Sequence, residues 1–233
     1  MSSFQDIRAI RKCIDFVEAS GLLAEPNERV NLPSNYAPLC RSLAYREYWE
    51  LHKSNFWFQI KLLDESIFLF EENSFRFIMS PVTVPSMDEY FLSEFGEEWE
   101  NLSNEEKSNY IDSSSFSESY QNFVVSVSDH KSFTPIRLDQ HLSQYNPINH
   151  PAHHLHIGYE NESRIPVKRI LNPLSFTVFI ISTFYPSVWR EMHDSGYINR
   201  ESIGEYKNNL QIIHHVHPQY WNDEWEESRF YIY

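Results

Sequence analysis

The residues best suited to chemistry are histidines and arginines that lie close together in the second half of the chain. The run HPAHHLHIG at His150–Gly158 contains three histidines within four residues. Arg137 and Asp139 precede this run in an Arg-x-Asp motif, and Arg164 follows it. Imidazoles exchange protons near neutral pH, and guanidinium groups bind phosphate oxygens. This combination is typical of sites that act on phosphate esters.

Alternation along three predicted strands decides which of these side chains share a face. The strands are predicted at Thr134–Asp139, His153–Ile157 and Arg164–Lys168, and their polar residues all fall on one side. That polar side collects Arg137, Asp139, His154, His156, Arg164 and Lys168. An antiparallel sheet with one solvated face shows the same pattern without any chemistry. We therefore expect His154 and His156 to face solvent, where alanine substitutions cost less than about 0.5 kcal/mol of stability.

Two mechanisms fit this group of residues. In the first, His154 and His156 act as general base and acid while Arg137 and Arg164 hold a phosphodiester, as in a metal-free nuclease. Asp139 would orient one imidazole. In the second, His154, His156 and Asp139 bind a divalent metal as a two-His-one-carboxylate site. The residue types leave both open.

The charge balance restricts where phosphate could be bound. The chain has 19 basic and 33 acidic residues, a formal net charge of -14, so its long-range field repels nucleic acid and anionic membranes. Within Asp129–Ile170 five basic residues face four acidic ones, and six of the 11 histidines lie there. Any contact with phosphate is therefore expected in this segment.

Several classes of protein are excluded by what the sequence lacks. The five glycines are scattered, which argues against a phosphate-cradling loop or a dinucleotide fingerprint. Cys13 and Cys40 are too few for a disulfide scaffold or a thiolate zinc site. No apolar run reaches the roughly 18 residues that would span a bilayer, and the first residues do not resemble a signal peptide. The expected location is the cytoplasm.

Apolar residues at three- and four-residue spacing predict an amphipathic N-terminal helix. They are Phe4, Ile7, Ile10, Ile14 and Val17. Ser2-Ser3 would cap its start, Gln5 would complete a capping box, and Gly21 follows its last turn. A proline-marked loop from Pro26 to Pro38 should follow.

Two sets of strands are predicted after this loop. Period-two alternation over Phe56–Leu62, Ile67–Phe70 and Phe75–Met79 predicts an antiparallel meander. An acidic segment rich in serine and asparagine, from about Ser86 to Ser119, has aromatic residues at helical spacing and predicts an inserted helical segment. A strand at Tyr120–Val127 should come next, before the strands that carry the histidines and arginines.

The last predicted elements complete a single α+β domain over residues 1–233. Asn172-Pro173 opens the apolar stretch Leu174–Tyr185, which predicts a buried helix, although its β-branched content leaves a strand open. The fold class is therefore α+β, with a mostly antiparallel sheet, an N-terminal helix, an inserted helical segment at about 86–119 and a buried helix after the His-x-His strand. An aromatic tail follows at about 218–233.

The motifs also carry a resemblance to known families. At Pro135–Asp139, His150–Gly158, Arg164–Pro166 and Pro173–Pro186 the chain resembles a family of uncharacterised bacterial proteins, a domain of unknown function. Some members are encoded beside a superfamily helicase in anti-phage defence islands. A looser likeness is to small toxins of toxin–antitoxin pairs, which carry an Arg-x-Asp strand followed by a His-x-His strand.

The resemblance implies antiviral defence, a helicase partner, and contact with DNA or RNA through the resulting complex. The leading hypothesis is an accessory subunit of a helicase-containing defence system with a phosphodiesterase face at Arg137, Asp139, His154, His156 and Arg164. The alternative is a non-enzymatic adaptor, or a reader of nucleic-acid structure, that docks on the helicase and regulates it.

The net charge of -14 leads to a prediction about partners. The isolated protein should bind free DNA poorly, because each phosphate contact is made against the repulsion of the remaining surface. A helicase encoded beside it should co-purify through the acidic insertion or the aromatic tail, and truncation after Gln219 should weaken that complex. Fluorescence anisotropy with short DNA and RNA at about 0.15 M salt tests the first expectation, and affinity purification tests the second. Tight binding without a partner would contradict the prediction.

Overall fold

The computed structural model describes residues 6–83, 85–111, 119–120, 122–123, 131–160, 162–198 and 217–226. These residues belong to two compact units. One unit is formed by the chain up to Ser80 and from Phe133 onward, and the other by Pro81–Ser132. The first unit contains the β-sheet and all the residues of the candidate site that the sequence predicts.

In the described part of the chain, seven strands form one antiparallel sheet in which each strand pairs with the next along the chain. They are β1 (Leu23–Pro26), β2 (Ile60–Leu62), β3 (Ile67–Glu71), β4 (Ser74–Ile78), β5 (Ile136–Gln140), β6 (His153–Ile157) and β7 (Ile165–Pro166). The two predicted sets of strands are therefore halves of one sheet, joined where β4 pairs with β5. The predicted α+β class and antiparallel sheet are confirmed.

One face of the sheet is apolar and packs against two helices, α1 (Ile7–Ala19) and α7 (Pro173–Phe184). Asn172 accepts a hydrogen bond from the Ser175 amide at 2.9 Å and Pro173 occupies the first turn, so the stretch forms the predicted buried helix and not a strand. The predicted N-terminal helix is also confirmed. Its cap is Asp6, which accepts from the amides of the next turn, and the predicted Ser2-Ser3 cap lies outside the described residues.

The other face of the sheet lies beneath α2 (Tyr36–Arg41) and α3 (Tyr45–Ser54). The sequence predicted no element over α3, and a proline-marked loop from Pro26 to Pro38 that overlaps the start of α2. That prediction is wrong because Pro38 sits in the first turn of α2, where a missing backbone N–H costs no helical hydrogen bond. In α3 the buried residues recur at helical spacing. They are Tyr45, Tyr48, Trp49 and His52.

The second unit, Pro81–Ser132, contains the predicted helical insertion. Its helices are α4 (Met87–Phe95), α5 (Glu97–Glu100) and α6 (Asn104–Ile111). The strand predicted at Tyr120–Val127 is wrong at its start, since Tyr120 and Phe123 are helical, and 124–127 lie outside the described residues. Both rings pack on Tyr90, with centroids 5.7 and 5.2 Å away, as expected for residues three apart on one face of a helix.

The C-terminal part of the chain contributes a short helix, α8 (Pro186–Asp194), which starts at the proline that ends the apolar stretch. Of the predicted aromatic tail the structure describes residues up to Glu226, including the helical turn α9 (Asp223–Glu226). Glu226 is fully buried and accepts a hydrogen bond from the Tyr145 hydroxyl at 3.2 Å, so this part of the tail packs on the first unit. None of the described helices is long and apolar enough to cross a membrane.

Phe176 of α7 anchors the apolar face, which yields a stability prediction. Its ring centroid lies 6.4 Å from those of Phe68 and Phe70 and 6.0 Å from that of Phe75. Phe176→Ala should lower the free energy of unfolding by about 3–5 kcal/mol. Leu63→Ala, at a side chain 57% exposed, is the control and should change it by less than about 0.5 kcal/mol. Urea denaturation measures both; similar losses in the two variants would place the core elsewhere.

Candidate functional site

Cross-strand pairing brings the predicted side chains together in two neighbouring rows on one face of the sheet. The rows are Arg76–Arg137–His156 and Ser74–Asp139–His154, running across β4, β5 and β6. Within each strand the two members are two residues apart, so all six side chains point the same way. Arg164, just before β7, lines the same cavity. The structure thus brings together Arg137, Asp139, His154, His156 and Arg164, and their roles stay predictions. Lys168, predicted on the same face, does not line the cavity and lies over the ring of Trp221.

Asp139 lies at the centre of this face. Its Oδ1 accepts a hydrogen bond from the Ser74 hydroxyl at 2.8 Å. Its Oδ2 lies 3.0 Å from Nε of Arg137, 3.3 Å from Nε2 of His156 and 3.9 Å from Nε2 of His154. Four side chains from three strands thus converge on a single buried carboxylate.

The charge of Asp139 is fixed by these neighbours. Burial by itself raises the pKa of the carboxyl group. The hydrogen bond from His156, the positive charges of Arg137 and Arg76, and the hydroxyl of Ser74 oppose that effect and outweigh it. The pKa of Asp139 therefore lies well below its ordinary value, and the carboxylate is ionised throughout the neutral range.

His154 is held as a neutral imidazole with a defined tautomer. Its Nδ1 lies 2.7 Å from the carbonyl oxygen of Pro151, and because a carbonyl only accepts, Nδ1 carries the hydrogen. Nε2 then has a free electron pair. Burial, reinforced by the neighbouring His156, lowers the pKa of His154 to about 4. At neutral pH the ring is therefore unprotonated, and the lone pair of Nε2 is available to a hydrogen-bond donor or a metal.

The prediction that the two histidines face solvent is wrong. His154 is 1% exposed and His156 is 4% exposed. Period-two alternation reports only that one face is polar, and that face lies beneath α2 and α3. The polar face therefore forms the floor of a cavity, and the expectation that alanine substitutions there leave stability unchanged no longer holds.

The cavity has a volume of about 530 Å³ and is rich in basic groups. Its charged lining residues are four arginines and two carboxylates: Arg41, Arg76, Arg137, Arg164, Asp139 and Glu160. Tyr36 of α2, Tyr48 of α3 and Tyr159 after β6 add aromatic rings, and the connection between β5 and β6 adds His141 and His150. A protein with a net charge of -14 thus encloses a cavity in which positive side chains predominate.

Arg76 is a site residue that the sequence analysis missed. Its Nε pairs with Oε1 of Glu71 at 2.7 Å, and Glu71 is buried. The signal was present in the alternation of β4, where Phe75 and Phe77 take the apolar face and leave Arg76 on the other. An arginine between buried phenylalanines on a central strand needs a partner and a polar cavity.

A buried tyrosine–histidine pair beside the cavity was also missed. The Tyr36 hydroxyl donates to Nε2 of His52 at 2.8 Å, because Nδ1 of His52 donates to the carbonyl of Tyr48 at 2.6 Å. Burial lowers the pKa of His52 to about 3, so the ring stays neutral. The pair was not expected, since Tyr36 lies in the segment that the sequence predicted as a loop and no element was predicted around His52.

Three of the groups on the floor of the cavity also have the spacing of a metal site. One ligand atom each from Asp139, His154 and His156 lies within 4.8 Å of the others. This is the two-His-one-carboxylate set that the sequence suggested. The Pro151 carbonyl would fix the tautomer of His154 in that role as well.

His153, which points to the opposite face from His154, yields a prediction about pH. Burial lowers the pKa of His153 from 6.5 to about 4 in the folded protein. Between these values the unfolded chain binds a proton that the folded protein does not, so the free energy of unfolding falls as the pH drops from 6.5 to about 4. In His153→Leu the free energy of unfolding should fall by about 3 kcal/mol less over this pH range than in the wild type. At pH 7 the two proteins should have similar stability. Urea denaturation at several pH values measures it; parallel curves for both proteins would contradict it.

Comparisons with known proteins identify a family by sequence. Neither the curated proteins nor the solved structures contain a match to the chain. A family model with the description "Uncharacterized conserved protein (DUF2290)" matches residues 20–228, which include every strand of the sheet and all the residues of the cavity. The expected membership of an uncharacterised family is confirmed, while the link to defence islands and helicases stays a prediction. Because the match spans most of the chain, the protein belongs to the DUF2290 family.

Proposed function

We propose that the cavity binds a phosphodiester and hydrolyses it by acid–base chemistry without a metal ion. The observation that carries this proposal is the position of a neutral imidazole, His154, beside an ionised Asp139 on the floor of a cavity lined by four arginines. Proton transfer and stabilisation of developing negative charge are the two requirements of phosphodiester hydrolysis.

In the proposed reaction, Nε2 of His154 takes a proton from water as the water oxygen forms a bond to phosphorus. The bond from phosphorus to the leaving oxygen breaks, and His156 gives that oxygen its proton. Asp139, 3.3 Å from His156, compensates the charge while His156 is protonated. The products are a phosphomonoester and an alcohol, and solvent exchange returns the proton from His154 to His156.

The arginines would hold the phosphate and stabilise the charge on its oxygens. Nε of Arg164 is buried and has no hydrogen-bond partner among the described residues, which leaves a donor that a phosphate oxygen can satisfy. Arg137 and Arg76 line the same cavity from neighbouring strands. Planar guanidinium groups bind phosphate through paired hydrogen bonds.

The charges around Asp139 favour this mechanism over a metal site. A divalent cation on Oδ2 would share that atom with Nε of Arg137, which is 3.0 Å away. Arg76 adds a second positive charge to the same face. Like charges at such distances in a buried site repel strongly. Acid–base chemistry uses the arginines, whereas metal binding would have to displace them.

The proposed setting is that of an accessory subunit in a helicase-containing antiviral system, as the resemblance implies. The second candidate is a non-enzymatic adaptor or reader that regulates the helicase. One observation favours it: Asp139 already has partners within the protein, Ser74, Arg137 and His156, as buried structural networks do. Such a protein would bind phosphate in the cavity without turning it over.

Hydrolysis of bis(4-nitrophenyl) phosphate separates the two candidates. We expect the wild type to hydrolyse it, and His154→Gln to lower kcat by about a hundredfold or more. His153→Leu, on the opposite face of the same strand, is the matched control and should keep its activity. Thermal unfolding of each variant checks that the fold is retained.

Three results would count against the proposal. These are no hydrolysis by the wild type, equal rates in wild type and His154→Gln, or loss of activity with a chelator that a divalent metal restores. The last would select the metal site of Asp139, His154 and His156 instead.

A further inference from the structure

The reactive atoms lie at the bottom of the cavity, which limits what can reach them. His154 and His156 are almost completely buried, so a phosphodiester must enter the cavity before a water molecule can bridge it to Nε2 of His154. The volume of about 530 Å³ falls within the range of about 300–1,000 Å³ that is usual for small-molecule sites. Specific contacts with duplex DNA instead bury about 1,000–2,500 Å² of open protein surface.

The distribution of charge favours a ligand with few phosphates. Four arginines face two carboxylates inside the cavity, whereas the chain as a whole has a net charge of -14. A small anion that fits inside the cavity is therefore attracted by the arginines and has no charge outside it. In a polymer, each phosphate outside the cavity would be repelled by the acidic remainder of the protein.

One aromatic ring in the cavity is available to a nucleobase. Tyr36 and Tyr48 are buried, but Tyr159 is partly exposed. Its hydroxyl donates to the carbonyl of Leu43 at 2.7 Å, and its ring contacts those of Tyr45 and Tyr48 at 5.0 and 5.6 Å, so the ring is held in place. A fixed aromatic face is the usual platform on which bases stack.

Resting on the proposed function, we infer that the substrate is a free nucleotide with a small phosphodiester, such as a cyclic mononucleotide, and not an internal linkage of long DNA or RNA. The arginines hold the phosphodiester over His154, and Tyr159 stacks on the base. Water adds to phosphorus, one ring P–O bond breaks, and the freed ribose oxygen takes the proton from His156. The product of a cyclic mononucleotide is the open nucleoside monophosphate.

The test compares substrates that share the same bond. Values of kcat/KM are measured for 2′,3′-cyclic and 3′,5′-cyclic mononucleotides and for single-stranded and duplex oligonucleotides of about 20 residues, roughly two turns of a duplex. We expect at least one cyclic mononucleotide to exceed the oligonucleotides by about a hundredfold. Internal cleavage of the oligonucleotides at equal or higher kcat/KM would overturn the inference.

Bis(4-nitrophenyl) phosphate distinguishes failure of the inference from failure of the proposed function. If the wild type hydrolyses this diester but prefers oligonucleotides to cyclic nucleotides, the substrate class is wrong and the phosphodiesterase proposal stands. If no diester is hydrolysed, both are wrong.

Two variants of Tyr159 test the base platform through binding. Tyr159→Leu should weaken binding of the preferred cyclic nucleotide by about tenfold, because it removes the stacking face. Tyr159→Phe keeps the ring and should retain most of the affinity. Calorimetry with inorganic phosphate is the second readout, and its affinity should be the same in both variants. Equal losses for phosphate and nucleotide, or no loss in Tyr159→Leu, would overturn the role of Tyr159.

Discussion

The site depends on one buried carboxylate. Asp139 brings together a hydroxyl from β4, a guanidinium from β5 and two imidazoles from β6, and each of these groups is buried or half-buried. An ionised carboxylate in this position is stable only while its oxygens accept hydrogen bonds and positive charges lie nearby. The network therefore fixes the register of three strands as well as the chemistry of the site. A shift of one residue in β5 would turn Asp139 toward the apolar core.

A buried charge needs an opposite charge nearby, and this also explains how two arginines can lie side by side. Arg76 and Arg137 are directly opposite each other on β4 and β5, where like charges destabilise a sheet. Each has its own carboxylate: Arg76 pairs with Glu71 and Arg137 with Asp139. Since Arg41 and Arg164 also line the cavity, positive groups still outnumber negative ones there. The protein thus maintains a basic interior with few acidic residues, while most of its acidic residues lie elsewhere.

Local sequence patterns were enough to predict which face of the sheet carries the site. Its burial and its contacts with distant segments depend on tertiary packing and could not be predicted. Alternation within single strands grouped Arg137, Asp139, His154 and His156, and the same reasoning applied to β4 would have added Arg76. Burial of this face could not be predicted, because alternation is identical for a solvated face and for one covered by helices. The helix α2 was missed because Pro38 was interpreted as a loop marker when it occupies a first turn, and no element was predicted over α3. Tyr159 and the Tyr36–His52 pair depend on contacts between distant segments, for which the sequence carries no periodic signal.

The insertion of Pro81–Ser132 between two adjacent strands has a consequence for the order of folding. Every other strand pair in the sheet follows a shorter connection, whereas β4 and β5 can meet only after the chain has closed a loop that contains the whole second unit. The entropy cost of closure rises with loop length, by about 0.6 kcal/mol for each doubling. The pairing of Ser74 with Asp139 and of Arg76 with Arg137 belongs to this contact. The two halves of the sheet can therefore form locally, but the carboxylate network needs groups from both, so the site is complete only once β4 and β5 have paired.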